Sequence, residues 1–188
     1  MRVRILGAES TGKSTLCQAL AQRAASQGLR CAQVSEYLRD WCEAAPHGVR
    51  LPGREDQFHI ARRQQRRIAV AARGADLVIA DTCALMTQVY SRHFFDHALP
   101  AQGPALHFDL TLVSDTDLPW QADPLRDGPQ VRDAVQQRLL QTLADHGLPW
   151  VRVNGPLAQR LDQAWTAILR VLDDRKDRRS GADNSGKT

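Results

Sequence analysis

The sequence predicts an α/β fold, with five parallel strands in one sheet and helices on both of its faces. Three observations carry that prediction. Five short apolar segments alternate with longer amphipathic ones along 188 residues, the spacing of strands joined by helical crossovers. A glycine-rich loop joins the first apolar segment to the first helical one, where parallel sheets build ligand sites. The composition, 43% hydrophobic and 24% charged, has enough apolar material for the core of one domain and excludes wholesale disorder.

The first strand is Val3 to Leu6, and the helix after it runs from about Ser14 to Gln27, where Gly28 stops it. Leu29 to Ser35 reads as the second strand. A loop containing Pro46, Gly48, Pro52 and Gly53 leads to a helix over roughly Glu55 to Arg73, ended by Gly74. Ala75 to Asp81 reads as a buried third strand, Leu85 to Phe95 as a helix, and Phe108 to Ser114 as a fourth strand entered from a Pro/Gly linker. A polar stretch, about 115–129, has the length of a mobile lid. Next come a helix to His146, a fifth strand from Trp150 to Val153 and a last helix from Pro156 to Leu172. Residues 1–172 therefore form the expected domain, and 173–188, with nothing large and apolar to bury, an expected disordered polar tail.

Lys and Arg number 25 against 21 Asp and Glu, a formal net charge of +4. That balance suits an anionic ligand and is too small to announce a nucleic-acid partner. The four cysteines, Cys17, Cys31, Cys42 and Cys83, show no metal-type pairing and are expected as reduced thiols. The N-terminus lacks a signal-peptide segment and the longest apolar run is broken by Asp76 and Asp81, so a soluble, cytoplasmic protein without a membrane contact is expected.

Gly7-Ala8-Glu9-Ser10-Thr11-Gly12-Lys13-Ser14 fits the phosphate-loop pattern GxxxxGK[ST], with Thr15 following. Its glycines let backbone N–H groups turn inward around phosphate oxygens, Lys13 reaches the β- and γ-phosphates, and Ser14 offers a hydroxyl to Mg²⁺. The pattern recurs at Gly181 to Thr188, where no strand precedes it and no residue follows. Context selects the first match, whose helix dipole points at the phosphates. Only three lysines occur, at 13, 176 and 187, so the folded region has otherwise used arginine and kept lysine where a planar guanidinium is too wide.

A second metal element is expected at the end of a buried strand, and Leu77-Val78-Ile79-Ala80-Asp81 supplies Asp81. The alternative role for Asp81 is to cap the next helix. There is no Asn-Lys-x-Asp guanine motif and no Ser-Gly-Gly transporter signature, which leaves a small-molecule kinase using ATP and Mg²⁺. Such an enzyme needs a general base or anchor for the acceptor hydroxyl. Glu36, in Val34-Ser35-Glu36-Tyr37-Leu38-Arg39-Asp40, is placed for it, unless it is simply paired with Arg39.

The phosphate loop with its Glu-Ser-Thr interior, Glu36-Tyr37-x-Arg39, Ile60-Ala61-x-x-Gln64-Gln65-Arg66, Asp81-Thr82 with Thr87-Gln88, Phe108-Asp109-Leu110-Thr111 and Trp120-x-x-Asp123-x-Leu125-Arg126 follow in order. From Val3 to about Leu172 this series resembles the ribosylnicotinamide kinase domain of NadR-type proteins. The resemblance implies a P-loop NTPase of mononucleotide-kinase type, a three-layer fold with a short lid. It also implies transfer of the ATP γ-phosphate to the 5′-hydroxyl of nicotinamide riboside. It implies that Trp120 helps to hold the nicotinamide ring; Glu36, Tyr37, Arg39, Trp120 and Asp123 are expected at the acceptor, with Lys13, Glu36, Asp81 and Arg126 in catalysis. Arg126 would be carried over the phosphates by the lid, or else pair with a nearby aspartate at the surface. Trp120 is either a platform for a flat cationic ring or a hydrophobic anchor for the lid. No His-x-Gly-His adenylyltransferase motif is present, so only the kinase activity is expected to come with the resemblance. The rival expectation is an ATP-binding regulatory module without turnover.

Two further signals read as background. His93 and His97 have zinc-like spacing but no evident third ligand. Arg62-Arg63-Gln64-Gln65-Arg66-Arg67 lacks interleaved aromatics and reads as a solvated face or the flank of an anionic-ligand cleft.

Overall fold

The computed structural model describes residues 1–44, 50–99, 107–121 and 128–184. Its strands are β1 (Arg2–Leu6), β2 (Cys31–Val34), β3 (Leu77–Asp81), β4 (Leu110–Ser114) and β5 (Val151–Val153), all parallel in the order β2-β3-β1-β4-β5. The helices are α1 (Lys13–Ser26), α2 (Tyr37–Glu43), α3 (Asp56–Ala71), α4 (Ala84–Phe95), α5 (Pro129–Asp145) and α6 (Leu157–Asn184).

Strand side chains alternate between two apolar layers, which is why the strands read as continuous hydrophobic runs. Val3, Ile5, Leu77, Ile79 and Leu112 join Leu16 and Leu20 of α1 and Ile168 of α6 in one layer. Leu6, Val78, Ala80 and Val113 join Met86 and Val89 of α4 and Leu139 and Leu143 of α5 in the other. The sheet is thus the middle of three layers.

Register sets the position of the chemistry. Because β1 and β3 are neighbours with Ile5 opposite Asp81, Asp81 ends its strand directly beside the turn that leaves β1. Strand β3 lies between β2 and β1, and the chain leaving β2 still brings Glu36 onto the same cleft as residues 9–15.

Two elements differ from expectation. Helix α2 was not anticipated, because seven residues are too few to show a period. Tertiary contacts hold it: the Tyr37 amide donates to Gln64 Oε1 of α3 at 2.7 Å, and Asp40 pairs with Arg67 at 2.6 Å. Helix α6 does not end at Leu172 but takes in 173–184 of the stretch expected to be disordered. Lys176 pairs with Asp173 one turn back at 3.5 Å, and Arg175 reaches Asp109 before β4 at 2.8 Å. The second phosphate-loop pattern therefore begins inside a helix, and its last four residues lie outside the described ones.

Candidate functional site

Two glycines make the loop between β1 and α1 possible. Gly7 has φ 149°, and a Cβ there would meet the Ser114 carbonyl oxygen and Thr11 Oγ1 at 2.9 Å. Gly12, at φ 74°, caps α1 with no side chain, and a Cβ would meet Leu118 Cδ1 at 2.9 Å. The left-handed backbone favours glycine at both positions, and at Gly7 the approach to the Ser114 backbone leaves no room for a Cβ. Ser10 is also left-handed, at φ 54°, and stored strain of this kind clusters at binding loops.

Buried side chains fasten the loop from below. The Ala8 amide donates to Gln136 Oε1 at 2.9 Å, while Gln136 Nε2 donates to the Ser114 carbonyl at 3.0 Å. Thr11 Oγ1 donates to the Ala8 carbonyl at 2.8 Å. Arg160 of α6, 1% exposed, donates from Nη1 to the Thr11 carbonyl at 2.8 Å and from Nε to the Gly155 carbonyl at 2.6 Å, and its other end pairs with Asp117. Neither Gln136 nor Arg160 was singled out from the sequence, where each looks like an ordinary polar helix residue.

Above the loop, the buried Lys13 folds back so that Nζ donates to the Ala8 carbonyl at 2.7 Å. Ser14 Oγ donates to Asp81 Oδ2 at 2.5 Å. The other oxygen, Asp81 Oδ1, is buried with no hydrogen-bond partner among the described residues. A hydroxyl, a carboxylate and an orphaned carboxylate oxygen at one point are the hard oxygen donors that Mg²⁺ takes. Asp81 does not cap α4, whose N-cap is Cys83. Thr82, immediately after Asp81, is left-handed at φ 66°, strained for a β-branched residue.

A cleft of about 640 Å³ opens from the phosphate loop. It is lined by residues 9–15, by Glu36 and Arg39, and by Tyr90, Phe94 and Phe95 of α4. Glu36 caps α2 without a side-chain hydrogen bond to it. Burial pushes its carboxyl up to about 7, aided by the Asp81 and Glu9 charges and opposed by Lys13 and Arg39. Arg39 forms an ion pair with Glu43 at 3.7 Å.

The structure thus brings Glu9 to Thr15, Glu36 and Arg39 onto one cleft. Tyr37 is turned elsewhere, its ring beneath the Arg67 and Arg63 guanidiniums at 5.1 and 6.0 Å. Trp120 stands half-buried between Pro119 and Gln121, which do line the cleft, and its indole N–H has no hydrogen-bond partner among the described residues. Asp123 and Arg126 lie outside the described residues. The aromatic wall of α4 was missed, since Tyr90 and Phe94 read from sequence as helix-face residues; their rings stack at 6.2 Å and 24°. His93 packs its edge on Phe94, and among the described residues no group of three or more His, Cys, Asp or Glu could hold a metal ion. All four cysteines are free thiols, and no described helix is long and apolar enough to cross a membrane.

Residues 2–160 match a family described as an AAA domain. The trifunctional NAD biosynthesis/regulator proteins NadR of Escherichia coli (strain K12) and of Salmonella typhimurium (strain LT2) are each 31% identical over 158 residues, 80% of this chain and 37% of theirs. The chain therefore spans little more than a third of the length of these relatives. A crystal structure of NadR protein in complex with NR superposes at TM-score 0.72 and 22% identity, over 90% of this chain and 51% of that one. Thymidylate kinase from Ehrlichia chaffeensis superposes at TM-score 0.60 and 12% identity, over 92% and 98% of the two chains.

Proposed function

From the premise that the chain belongs to the AAA domain family and has a P-loop kinase fold, we propose that it transfers the γ-phosphoryl group of ATP to the 5′-hydroxyl of nicotinamide riboside. The observation that carries this reading is the single cleft joining the phosphate loop to Glu36 and to the aromatic wall of α4. Its loop suits a triphosphate and its aromatic side chains a flat ring, with the Glu36 carboxyl in the same cleft. The sequence similarity to NadR over 80% of the chain supports the choice of acceptor.

In this reading the loop amides and Lys13 orient the β- and γ-phosphates along the α1 dipole. Ser14 and Asp81 hold Mg²⁺, which when bound draws off charge from the phosphate oxygens. Glu36 receives the hydroxyl proton. Its carboxyl, held near 7 in the free protein, is poised for that transfer at neutral pH, as general bases require. A loose phosphoryl transition state asks chiefly for alignment, so Glu36 also anchors the hydroxyl in line. Tyr90, Phe94 and Phe95 offer π-faces to the cationic nicotinamide ring. Arg126, Asp123 and Trp120 belong to the segment we assign to closing over the bound substrates.

The test is coupled ADP release across a nucleoside panel. Nicotinamide riboside should be the preferred acceptor, with nicotinamide mononucleotide as product. Turnover with a different nucleoside alone would reassign the acceptor, and ATP binding without turnover on any member would leave a regulatory module.

A further inference from the structure

A second cleft, of about 440 Å³, lies at the edge of the sheet between β2 and α3. Exposed Gln33 and Ser35 line it from the strand side; Arg63, Arg66 and Arg67 line it from the helix. The three arginines stand at i, i+3 and i+4, so they share one helical face. Arg67 pairs with Asp40 of α2 at 2.6 Å. Among the described residues neither Arg63 nor Arg66 has a carboxylate partner, so three guanidiniums face one carboxylate.

We propose that this cleft is a second anion site, which takes a small ligand carrying a pyrophosphate. Guanidinium forks bind phosphate oxygens in pairs, and several on one face select adjacent phosphates over a lone carboxylate. Tyr37, an aromatic ring beside the cluster, is already covered by Arg63 and Arg67, so the stacking platform that a nucleic-acid strand uses is taken there.

The site is wired to the cleft that binds phosphates. Gln64, between the arginines on α3, accepts from the Tyr37 amide and donates to the Asp81 carbonyl at 3.4 Å. Tyr37 opens α2 directly after Glu36, and Arg39 lies on α2 itself. A ligand that draws Arg67 from Asp40 loosens the clasp that holds α2, and with it the acceptor wall. By linkage the acceptor and this ligand then weaken each other's binding. That coupling, unlike the binding, rests on the kinase reading above.

The experiment is calorimetric titration of inorganic pyrophosphate into the full chain saturated with Mg·ADP, so that the phosphate loop is filled. One further site per chain is expected. Arg63→Ala and Arg66→Ala should each weaken it about tenfold, Lys13→Ala should leave it unchanged, and Asp40→Asn, which removes the competing carboxylate, should tighten it severalfold. A dinucleotide with an internal pyrophosphate, titrated in parallel, distinguishes a free from an esterified ligand, and binding of either supports the site. The proposal is overturned by absent binding, by binding indifferent to the arginine variants when circular dichroism shows them folded, by loss in Lys13→Ala, or by an oligonucleotide that binds this face where pyrophosphate does not. Pyrophosphate binding with no rise in acceptor KM overturns the coupling. Absence of turnover on every acceptor overturns the kinase reading and leaves the binding result standing.

Discussion

The loop side of the cleft is held by backbone and by buried side chains with several partners each, whereas the side carrying Glu36 and Arg39, where we propose the acceptor binds, hangs on a seven-residue helix and a few clasps. Gly7, Gly12, Gln136 and Arg160 fix the loop before any ligand arrives. Helix α2 is tied by Gln64 and by the Arg67–Asp40 pair, whose side chains are 36% and 43% exposed. Phosphate is the same in every nucleotide, so a rigid cradle serves it. Acceptors differ, and an end held by few contacts can be altered, or regulated, without disturbing the cradle.

The largest expected effect comes from removing charge at the rigid end. Lys13→Ala should lower turnover by roughly 10² to 10³, the scale for a preorganised electrostatic group, with an unchanged circular dichroism spectrum. Substantial residual turnover would show that the cradle is not where catalysis is concentrated.

Arg160→Met tests the rigidity itself. It leaves the Thr11 and Gly155 carbonyls and Asp117 without their buried donor, a loss of about 3 kcal/mol, or roughly 6 to 12 °C in Tm. Calorimetry should show that fall together with weaker ATP binding. A stable variant with normal ATP affinity would break the contrast between the two ends.

Glu36→Gln probes the acceptor end through pH. Because the folded state raises the Glu36 carboxyl from 4.5 to about 7, the native protein binds the proton more tightly than the unfolded chain does. This group's contribution to stability is therefore present below about pH 4.5 and lost as pH rises towards 7. Denaturant titrations should show that loss in the wild type and not in Glu36→Gln. In kinetics, kcat/KM for the acceptor should rise with pH through about 7, and the variant should lack that limb, with turnover about a hundredfold lower.

The smallest effect sharpens the picture of the ring site. Phe94→Ala should raise the riboside KM five- to thirtyfold, the equivalent of about 1 to 2 kcal/mol of cation–π and apolar contact, with little change for ATP. Trp120→Ala measured beside it decides between the two aromatic positions. An effect confined to Trp120 would move the ring from the α4 wall to the segment after β4.

The sequence by itself determined the alternation of five strands with helices and the phosphate-loop pattern between the first strand and the first helix. Those features are local, or follow from a period of two or 3.6 residues and from glycines that a left-handed turn demands. It also placed Glu36 beside the phosphate loop, with which it lines one cleft. Tertiary structure alone decided the rest. Nothing local marks Arg160 or Gln136 as buried braces, because a polar residue on an amphipathic helix looks solvated until its neighbour across the fold is known. The same holds for the shift of Glu36, which burial produces, and for the arginines of α3, which become a cleft only when β2 forms the edge of the sheet beside them. Burial and charge proximity are sums over the whole fold, and a linear pattern carries neither.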